Sequence, residues 1–318
     1  MSTTEGYKSG LPAKNGYEPT PVEELKPSAS MQLVQKADDL PSKVDFSQEM
    51  SPIKNQNHLP SCVAFGLLSA LDLVPQTIGL TDVHSEAFTW YWAQKLQGKT
   101  PSINSGTTIS KALGALLEYG SCWESKYPYP GSSLPPPPEN AQAQAYEMRV
   151  RSYSYLGDPT DMNAVKTLLA AGVPVVIGFP MYGKPDYWEK WIYNADSTST
   201  GYVNLPPDDP PPARTDGHVV TLVGYDDNVT HYDVANSRTV KGYFKFKNSW
   251  GADKGDKGWY YLPYEFFRNV DTALVFETQQ TLLPNPLKKV ESAIRTTTSE
   301  RSKLIASHFD WIGEPGGE

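Results

Sequence analysis

The sequence predicts an α+β fold in which helices come first along the chain and strands follow. Helical periodicity with recognisable caps occupies residues 62–171, whereas alternating and β-branched apolar residues dominate from Pro174 onward. A chain of 318 residues with 39% hydrophobic and 12% aromatic residues can bury a sizeable core, in one large domain or two modest ones. We therefore expect a helical lobe followed by a lobe built on a β-sheet.

Charge and composition exclude several classes of function. A net charge of −8 argues against a nucleic-acid partner, and no apolar run approaches the roughly 20 residues of a membrane span. The first ten residues, MSTTEGYKSG, lack the features of a secretory signal. With two cysteines, the chain is expected in a reducing compartment, the cytoplasm, or exported by a route that needs no such signal.

The first element is a loop, residues 51–61, that delivers Cys62 to the start of a helix. Ser61 can cap this helix, and residues 63–71 are apolar nearly all round, as expected of a buried helix. The helix dipole favours the thiolate of a cysteine in its first turn. The alternative is that Cys62 is a small core residue, since free cysteine is usually buried.

Three further helices are expected in this half of the chain. They are residues 84–95 with Ser85 as a cap, residues 107–119 ended by Gly120, and residues 162–171. The aromatic run inside the first of them is expected to lie in the core. Cys122 has no cysteine or histidine nearby, so we interpret it as a structural free thiol and expect no metal and no cofactor.

Strand patterns follow at residues 174–179, 218–223, 243–247, 257–262 and 272–277. His218 begins the second of these strands, and Asn248 directly follows the third. Cysteine, histidine and asparagine, each at the edge of an element, form the constellation of a thiol acyl-transfer enzyme.

In this order the residues resemble the papain-like cysteine peptidases over roughly residues 41–277. The resemblance implies a two-lobed fold, with a helical left lobe carrying the nucleophile helix, a β-barrel-like right lobe and the active site in the cleft between them. It implies the following roles: Cys62 as nucleophile, His218 as general base and acid, Asn248 as the group that orients the imidazole, Trp250 as a shield for their bond, and Gln56 with the Cys62 backbone N–H as oxyanion hole.

The resemblance also implies a substrate-binding strand. Asn104, Ser105 and Gly106 stand where the family has its Asn-Gly-Gly cleft strand, and Gly217 precedes the histidine. Ser105 replaces a glycine of that pattern, which changes the shape expected of this wall.

Two departures from the family pattern occur together. Leu59 and Ile103 stand where the family has the two cysteines of a disulfide. Both positions are apolar, so the resemblance implies that the disulfide was replaced as a pair.

A stretch without clear periodicity, about residues 181–216, precedes the histidine as an insertion. Its aromatic residues Trp188, Trp191 and Tyr193 could form walls of the cleft, because a loop this long is usually functional. We expect a specificity loop, and the alternative is a plain insertion.

The chain is expected to have three parts: an N-terminal extension at residues 1–40, a peptidase domain at 41–277 and a C-terminal extension at 278–318. The first is polar and rich in Gly, Pro, Ser and Thr, which is typical of a disordered tail. The rival interpretation is an inhibitory segment that lies over the cleft and inhibits modestly, because docking costs ordering entropy. Residues 287–309 have one helical pattern, interpreted as a surface or partner-binding helix.

The expected activity is peptide-bond hydrolysis by an endopeptidase with a peptide or protein substrate and no nucleic-acid or membrane partner. As the resemblance implies, Cys62 and His218 rest as a thiolate–imidazolium pair and the reaction passes through a thioester. Two alternatives remain open. One is a transferase or ligase that uses the same thioester, and the other is a papain-fold peptide-binding protein without activity.

Overall fold

The computed structural model describes residues 14–24, 39–71, 82–208 and 211–276. Its fold is α+β, with most helices before the main sheet in the chain. Seven helices lie in these ranges: α1 (Cys62–Leu71), α2 (Glu86–Leu96), α3 (Ile109–Glu118), α4 (Glu139–Glu147), α5 (Met162–Ala170), α6 (Pro185–Trp188) and α7 (Ala195–Thr200).

Ser85 and Gly120 are placed as the sequence predicts, whereas the Ser61 hydroxyl bonds to the Leu59 carbonyl and the Tyr129 hydroxyl rather than to the first turn of α1. The Ser85 hydroxyl accepts the Phe88 N–H at 3.2 Å at the start of α2, and Asp161 caps α5 through two backbone N–H groups. Gly120, with φ +79°, follows α3. These polar groups satisfy backbone donors that a helix leaves unpaired at its first turn, which confirms the expected boundaries to within two residues.

Helix α1 is buried along its whole length. It packs against the strand that carries His218, and a Cβ atom on Gly66 would come 2.6 Å from Val219 Cγ1. Glycine at this position therefore allows the close approach of helix and sheet. This contact fixes the distance between the cysteine on the helix and the histidine on the strand.

The strands in the described ranges are β1 (Tyr17–Glu18), β2 (Lys43–Asp45), β3 (Thr107–Thr108), β4 (Tyr153–Tyr155), β5 (Val175–Tyr182), β6 (Arg214–Asp233), β7 (Arg238–Lys247), β8 (Trp259–Pro263) and β9 (Thr272–Phe276). Seven of them form the main sheet, in the order β4-β9-β5-β6-β7-β8, with β2 pairing on β6. Its pairs are antiparallel. The sheet is open in these ranges, so the barrel-like lobe expected from the resemblance is not a closed barrel.

The register of the sheet brings the predicted site residues together. His218 on β6 lies opposite Phe179 on β5. Lys247, the last residue of β7, pairs with Thr221 on β6. Because β7 ends there, Asn248 emerges beside the part of β6 that carries His218 and reaches the imidazole. The strand itself begins at Arg214 rather than at His218, where the sequence pattern predicted its start.

A second, two-stranded sheet involves the N-terminal segment. Strand β1 pairs in parallel with β3, with Tyr17 opposite Thr107 and Glu18 opposite Thr108. The part of the N-terminal extension that the structure describes therefore lies along the helical lobe at the edge of the cleft.

Two further expectations have separate outcomes. The aromatic run of α2 lies in the core, with Trp90 fully buried, as expected. The helix expected at residues 287–309 lies outside the described residues.

Within the described ranges, no helix is long and apolar enough to cross a membrane, and no cluster of His, Cys, Asp and Glu has the arrangement of a metal site.

Candidate active site

Cys62 lies at the first position of α1, where the loop of residues 51–61 delivers it. Lys54 anchors that loop, since its ammonium donates to the His84 carbonyl at 3.1 Å and pairs with Glu86 and Glu124. The Lys54 carbonyl in turn accepts the Gly251 N–H at 3.2 Å. The loop is therefore tied to both lobes, which places the thiol at their junction.

His218 and Asn248 are joined by a hydrogen bond of 2.8 Å between Nε2 and Oδ1. Asn248 Oδ1 also accepts the Ser249 N–H at 2.9 Å, so this atom is the amide oxygen. Because an amide oxygen only accepts, Nε2 must carry the proton, which leaves the Nδ1 lone pair free. Nδ1 is buried without a hydrogen-bond partner among the described residues, as expected of a nitrogen that awaits a proton.

Trp250 covers this pair. Its indole stacks on the His218 ring with centroids 5.0 Å apart and an interplanar angle of 21°. Phe179 meets the imidazole edge-on with centroids 5.7 Å apart. The two rings pack against the imidazole and restrict its orientation.

Gln56 is held in a fixed orientation. Its Oε1 accepts from the Ser249 hydroxyl at 2.6 Å and its Nε2 donates to the Leu59 carbonyl at 2.8 Å. Its backbone carbonyl accepts from the Tyr129 hydroxyl at 3.1 Å. With Oε1 occupied by a donor, the side-chain N–H groups point toward the thiol side of the loop, as an oxyanion donor requires.

A carbonyl of the chain itself occupies this position. The Asn15 carbonyl oxygen accepts the Cys62 backbone N–H at 3.2 Å and the Gln56 Nε2–H at 3.3 Å. These are the two donors that the sequence analysis assigned to the oxyanion hole. The peptide group that joins Asn15 to Gly16 therefore occupies the two oxyanion-hole donors beside the Cys62 thiol.

Asp216 fixes the backbone on the other side of this peptide. Its carboxylate accepts the N–H of Asn15 through one oxygen and the N–H of Gly16 at 3.3 Å through the other. Burial raises the pKa of this carboxyl, while the backbone N–H groups that it accepts lower the pKa in part. A buried carboxylate with two backbone donors is a specific anchor for an extended peptide.

The insertion contributes one aromatic side chain to the cleft. The Tyr193 hydroxyl donates to Asn15 Oδ1 at 3.2 Å, and its ring packs edge-on against Trp250 at 4.7 Å. Trp188 and Trp191 instead lie in the core of the sheet lobe. Of the three aromatic residues expected as cleft walls, Tyr193 is therefore the one whose contacts lie at the site.

Two of the four predicted substrate-binding residues contact the N-terminal segment. Gly106 faces the segment, since a Cβ there would lie 2.3 Å from the Gly16 carbonyl oxygen, and Gly217 lies against Tyr17. The Ser105 carbonyl accepts from the Trp90 indole at 2.9 Å, and Asn104 is exposed. The two glycines therefore lie against the N-terminal segment.

The cysteines and the lost disulfide agree with the sequence. Cys62 and Cys122 are both free and buried. Leu59 and Ile103, where the resemblance implies a lost disulfide, both pack against the apolar cluster that contains Cys122.

The ionisation of the site differs from the expected ion pair. Cys62 and His218 are both 0% exposed. Burial, followed by the nearby Asp216 carboxylate, raises the pKa of the Cys62 thiol well above its ordinary value. Burial also lowers the pKa of His218 to about 4, although its bond to Asn248 acts in the opposite direction. In the covered cleft both groups are neutral, because burial outweighs the helix dipole, and the thiol faces the Gly217 carbonyl at 3.9 Å.

Asp216 was missed by the reasoning from sequence. One signal was available, since an acidic residue two positions before His218 must lie near the same strand end. Its partners, Asn15 and Gly16, are about 200 positions away in the chain, and no local pattern indicates such a pairing.

Comparison with known proteins agrees with this geometry. The family described as papain family cysteine protease matches residues 40–271. An uncharacterized peptidase C1-like protein of Acanthamoeba polyphaga mimivirus is 26% identical over 247 residues, which cover 75% of this chain and 72% of that protein. Cathepsin C of Schistosoma mansoni is 23% identical, and the match spans 50% of its length.

Solved structures show the same fold. Xylellain, a cysteine protease from Xylella fastidiosa, superposes with a TM-score of 0.66 and 24% identity, covering 84% of this chain and 97% of its own. Digestive procathepsin L 3 of Tenebrio molitor larval midgut superposes with a TM-score of 0.55 and 19% identity, covering 84% of this chain and 75% of its own. Since the family match spans most of the chain, this protein belongs to the papain family of cysteine proteases.

Proposed function

We propose that the chain hydrolyses peptide bonds through a thioester on Cys62, with His218 and Asn248 completing the triad, and that its N-terminal segment keeps it latent. The observation that carries the proposal is the Asn15 peptide group. Its carbonyl is held beside the thiol by Gln56 and the Cys62 N–H, which is the position that the reacting carbonyl of a substrate would take.

The chemistry follows from these contacts once the segment is displaced. The Cys62 thiol passes its proton to His218 Nδ1, and the sulfur attacks the substrate carbonyl carbon. The carbonyl oxygen gains negative charge, which the Gln56 amide and the Cys62 N–H stabilise. His218 then donates its proton to the leaving amine. Water, deprotonated by His218, hydrolyses the thioester and returns the free thiol.

A peptide library analysed by mass spectrometry tests this reaction. The chain beginning at Asp38 is incubated with the library in heavy-oxygen water, in the presence of a primary amine. New C-terminal carboxylates that carry heavy oxygen, absent with Cys62→Ala, are expected of hydrolysis. Amide products formed with the added amine would instead identify a transferase, and no reaction would identify a binding protein.

The proposed latency rests on how completely the segment fills the site. Besides the Asn15 carbonyl and the Asp216 anchor, the Gly16 carbonyl accepts the Thr107 N–H at 3.0 Å. Glu18 accepts from Lys99 at 2.7 Å and from Gln97 at 2.7 Å. A substrate cannot reach the thiol while these bonds are made, so displacement of the segment must precede catalysis.

The affinity of this segment for the cleft is expected to fall in mild acid. Burial under the segment lowers the pKa of His218 from its ordinary value of 6.5 to about 4, and we expect the imidazole to regain its ordinary pKa when the segment leaves. The open form then binds the proton more tightly, and His218 makes the docked form lose stability as pH falls from 6.5 toward 4. Binding of a peptide of residues 1–37 to the chain beginning at Asp38, measured by fluorescence anisotropy, should therefore be weaker at pH 5 than at pH 7, by about 20-fold from His218 alone.

Two variants separate the groups that titrate. The pKa of Asp216 is raised in the docked form, so this carboxyl favours docking in acid and opposes the effect of His218. Asp216→Asn should therefore make the fall in affinity steeper, and His218→Gln should remove the fall and leave the opposite dependence. Ser110 and Lys111 lower the pKa of Glu24 in the docked form. An affinity that is constant from pH 7 to pH 5 in the Asp216→Asn variant would show that the segment does not cover the imidazole.

A further inference from the structure

The Tyr17 side chain fills a pocket at the side of the cleft. It is 2% exposed and lies two residues after the Asn15 carbonyl at the oxyanion donors. A side chain so close to the reacting position occupies space that a substrate side chain would otherwise enter.

Two glycines form the walls against the ring. A Cβ atom on Gly178 would come 2.9 Å from Tyr17 Cε1, and a Cβ atom on Gly217 would come 2.6 Å from Tyr17 Cδ1. Any larger residue at either position would remove space from the ring. The two glycines therefore leave room for the edge of the ring that carries Cδ1 and Cε1.

Polar groups lie at the end of the pocket. The Tyr17 hydroxyl donates to Asp271 Oδ1 at 2.8 Å and lies 3.0 Å from Thr272 Oγ1. Since a carboxylate only accepts, the phenol donates its proton to Asp271 and accepts from the threonine hydroxyl. Both hydrogen-bonding capacities of the phenol are thereby used.

The charge at the end of the pocket is balanced. Arg214 pairs with Asp271, and its guanidinium lies 4.9 Å from the centroid of the Tyr17 ring. A lysine or arginine side chain entering here would find the carboxylate already neutralised and a cation beside it. An aliphatic side chain or phenylalanine would leave the Asp271 and Thr272 groups without the partner that they have now.

We propose that, once the segment is displaced, this pocket selects a tyrosine side chain of the substrate, with Asp271 and Thr272 recognising the hydroxyl and Gly178 and Gly217 admitting the ring. The proposal rests on the peptidase function proposed above. Tyr17 then inhibits by occupying the pocket as a substrate tyrosine would.

The test uses the full chain carrying Tyr17→Ala, which empties the pocket. Matched peptides carry tyrosine, phenylalanine, leucine or lysine in turn at each position flanking the cleaved bond. At one position, kcat/KM for tyrosine should exceed that for phenylalanine by about 10-fold, as expected for loss of a hydrogen bond to a charged group, and lysine should be the poorest. Equal rates for tyrosine and phenylalanine at every position would overturn the proposal.

Variants of the polar end show whether it is responsible. Adding Asp271→Ala and Thr272→Val should reduce the tyrosine-to-phenylalanine ratio of kcat/KM to near one, whatever the two substitutions do to the rate for the phenylalanine peptide. Asp186→Ala, at an exposed carboxylate, should leave the ratio as it was. A ratio that persists in the double variant would contradict the assignment of Asp271 and Thr272.

A binding measurement separates this proposal from the proposed reaction. Affinities of the same peptides are measured for the full chain with Tyr17→Ala and Cys62→Ala. A preference for tyrosine without cleavage by the parent would support the pocket and overturn the peptidase function. Equal affinities for tyrosine and phenylalanine peptides would overturn the pocket whatever the chain cleaves.

Discussion

Replacing His218 with alanine in the chain beginning at Asp38 is expected to lower kcat/KM by on the order of 10⁴-fold or more, because the variant loses both the base and the acid of the reaction. Asn248→Ala is expected to cost on the order of 100-fold, since it keeps the imidazole but removes the acceptor that orients it. The 2.8 Å bond between His218 Nε2 and Asn248 Oδ1 fixes the tautomer in which Nδ1 is the base. Steady-state hydrolysis of a peptide from the library measures both effects.

The control for these variants is Asn228→Ala, at an exposed asparagine of β6, which should retain full activity. If Asn248→Ala also retained full activity, Trp250 and Phe179 alone would hold the ring. If it were as inactive as His218→Ala, the asparagine would do more than orient the imidazole. Thermal unfolding of each variant shows whether any loss comes from instability.

The placement of the triad could be predicted because Cys62 and Asn248 lie at the ends of elements with strong local patterns, and His218 directly precedes the apolar run of its strand. The apolar run after Cys62 requires a buried helix, and the runs after His218 and before Asn248 require buried strands. Antiparallel pairing of β6 with β7 then leaves little freedom in where the polar ends meet. The apolar pair Leu59 and Ile103 was also readable, since two matched losses of cysteine indicate one lost link.

The contents of the cleft could not be predicted in the same way. Strand β1 has two residues and gains its stability from pairing with Thr107 and Thr108, far away in the chain. Asp216 reads as an ordinary polar residue until the N–H groups of the segment reach it. The protonation of Cys62 was misjudged for the same reason, because the helix dipole is visible in the sequence whereas burial under the segment is not.

The roles of the aromatic residues in the insertion could not be predicted from the sequence either. Trp188 and Trp191 have no strand or helix period, and their roles depend on which side of a short helix faces the sheet. Trp191 stacks on Phe266 with centroids 5.2 Å apart, a contact between segments more than 70 positions apart. Tyr193 differs because its neighbour Trp250 belongs to the site.

Removing the N-terminal segment is expected to raise the alkylation rate of Cys62 on the order of 100-fold, comparing the chain beginning at Asp38 with the full chain. In the full chain the Cys62 thiol is 0% exposed and its pKa is raised. The alkylating reagent therefore cannot reach the sulfur, and little of the reactive thiolate is present. Docking orders several residues at a cost of about 1–2 kcal/mol each, and we expect the Asp216 anchor and the burial of the Tyr17 ring to offset this cost. The inhibition should therefore exceed the modest effect expected from an extended tail.

Peptide mapping after iodoacetamide treatment measures the rate at each cysteine, and Cys122 is the control within the same molecule. Burial raises the pKa of Cys122 to about 12, and it packs in the helical lobe beside α2, so its slow rate should be the same in both chains. Tyr17→Ala in the full chain should give an intermediate rate for Cys62, and adding the peptide of residues 1–37 to the shorter chain should restore protection. Equal rates at Cys62 in the full and shortened chains, with the full chain intact by mass, would show that the segment leaves the cleft freely. If the added peptide restores protection, the inhibition comes from the N-terminal segment. We assign it to Asn15, Gly16 and Tyr17, because these three residues contact the oxyanion donors, the Asp216 carboxylate and the side pocket.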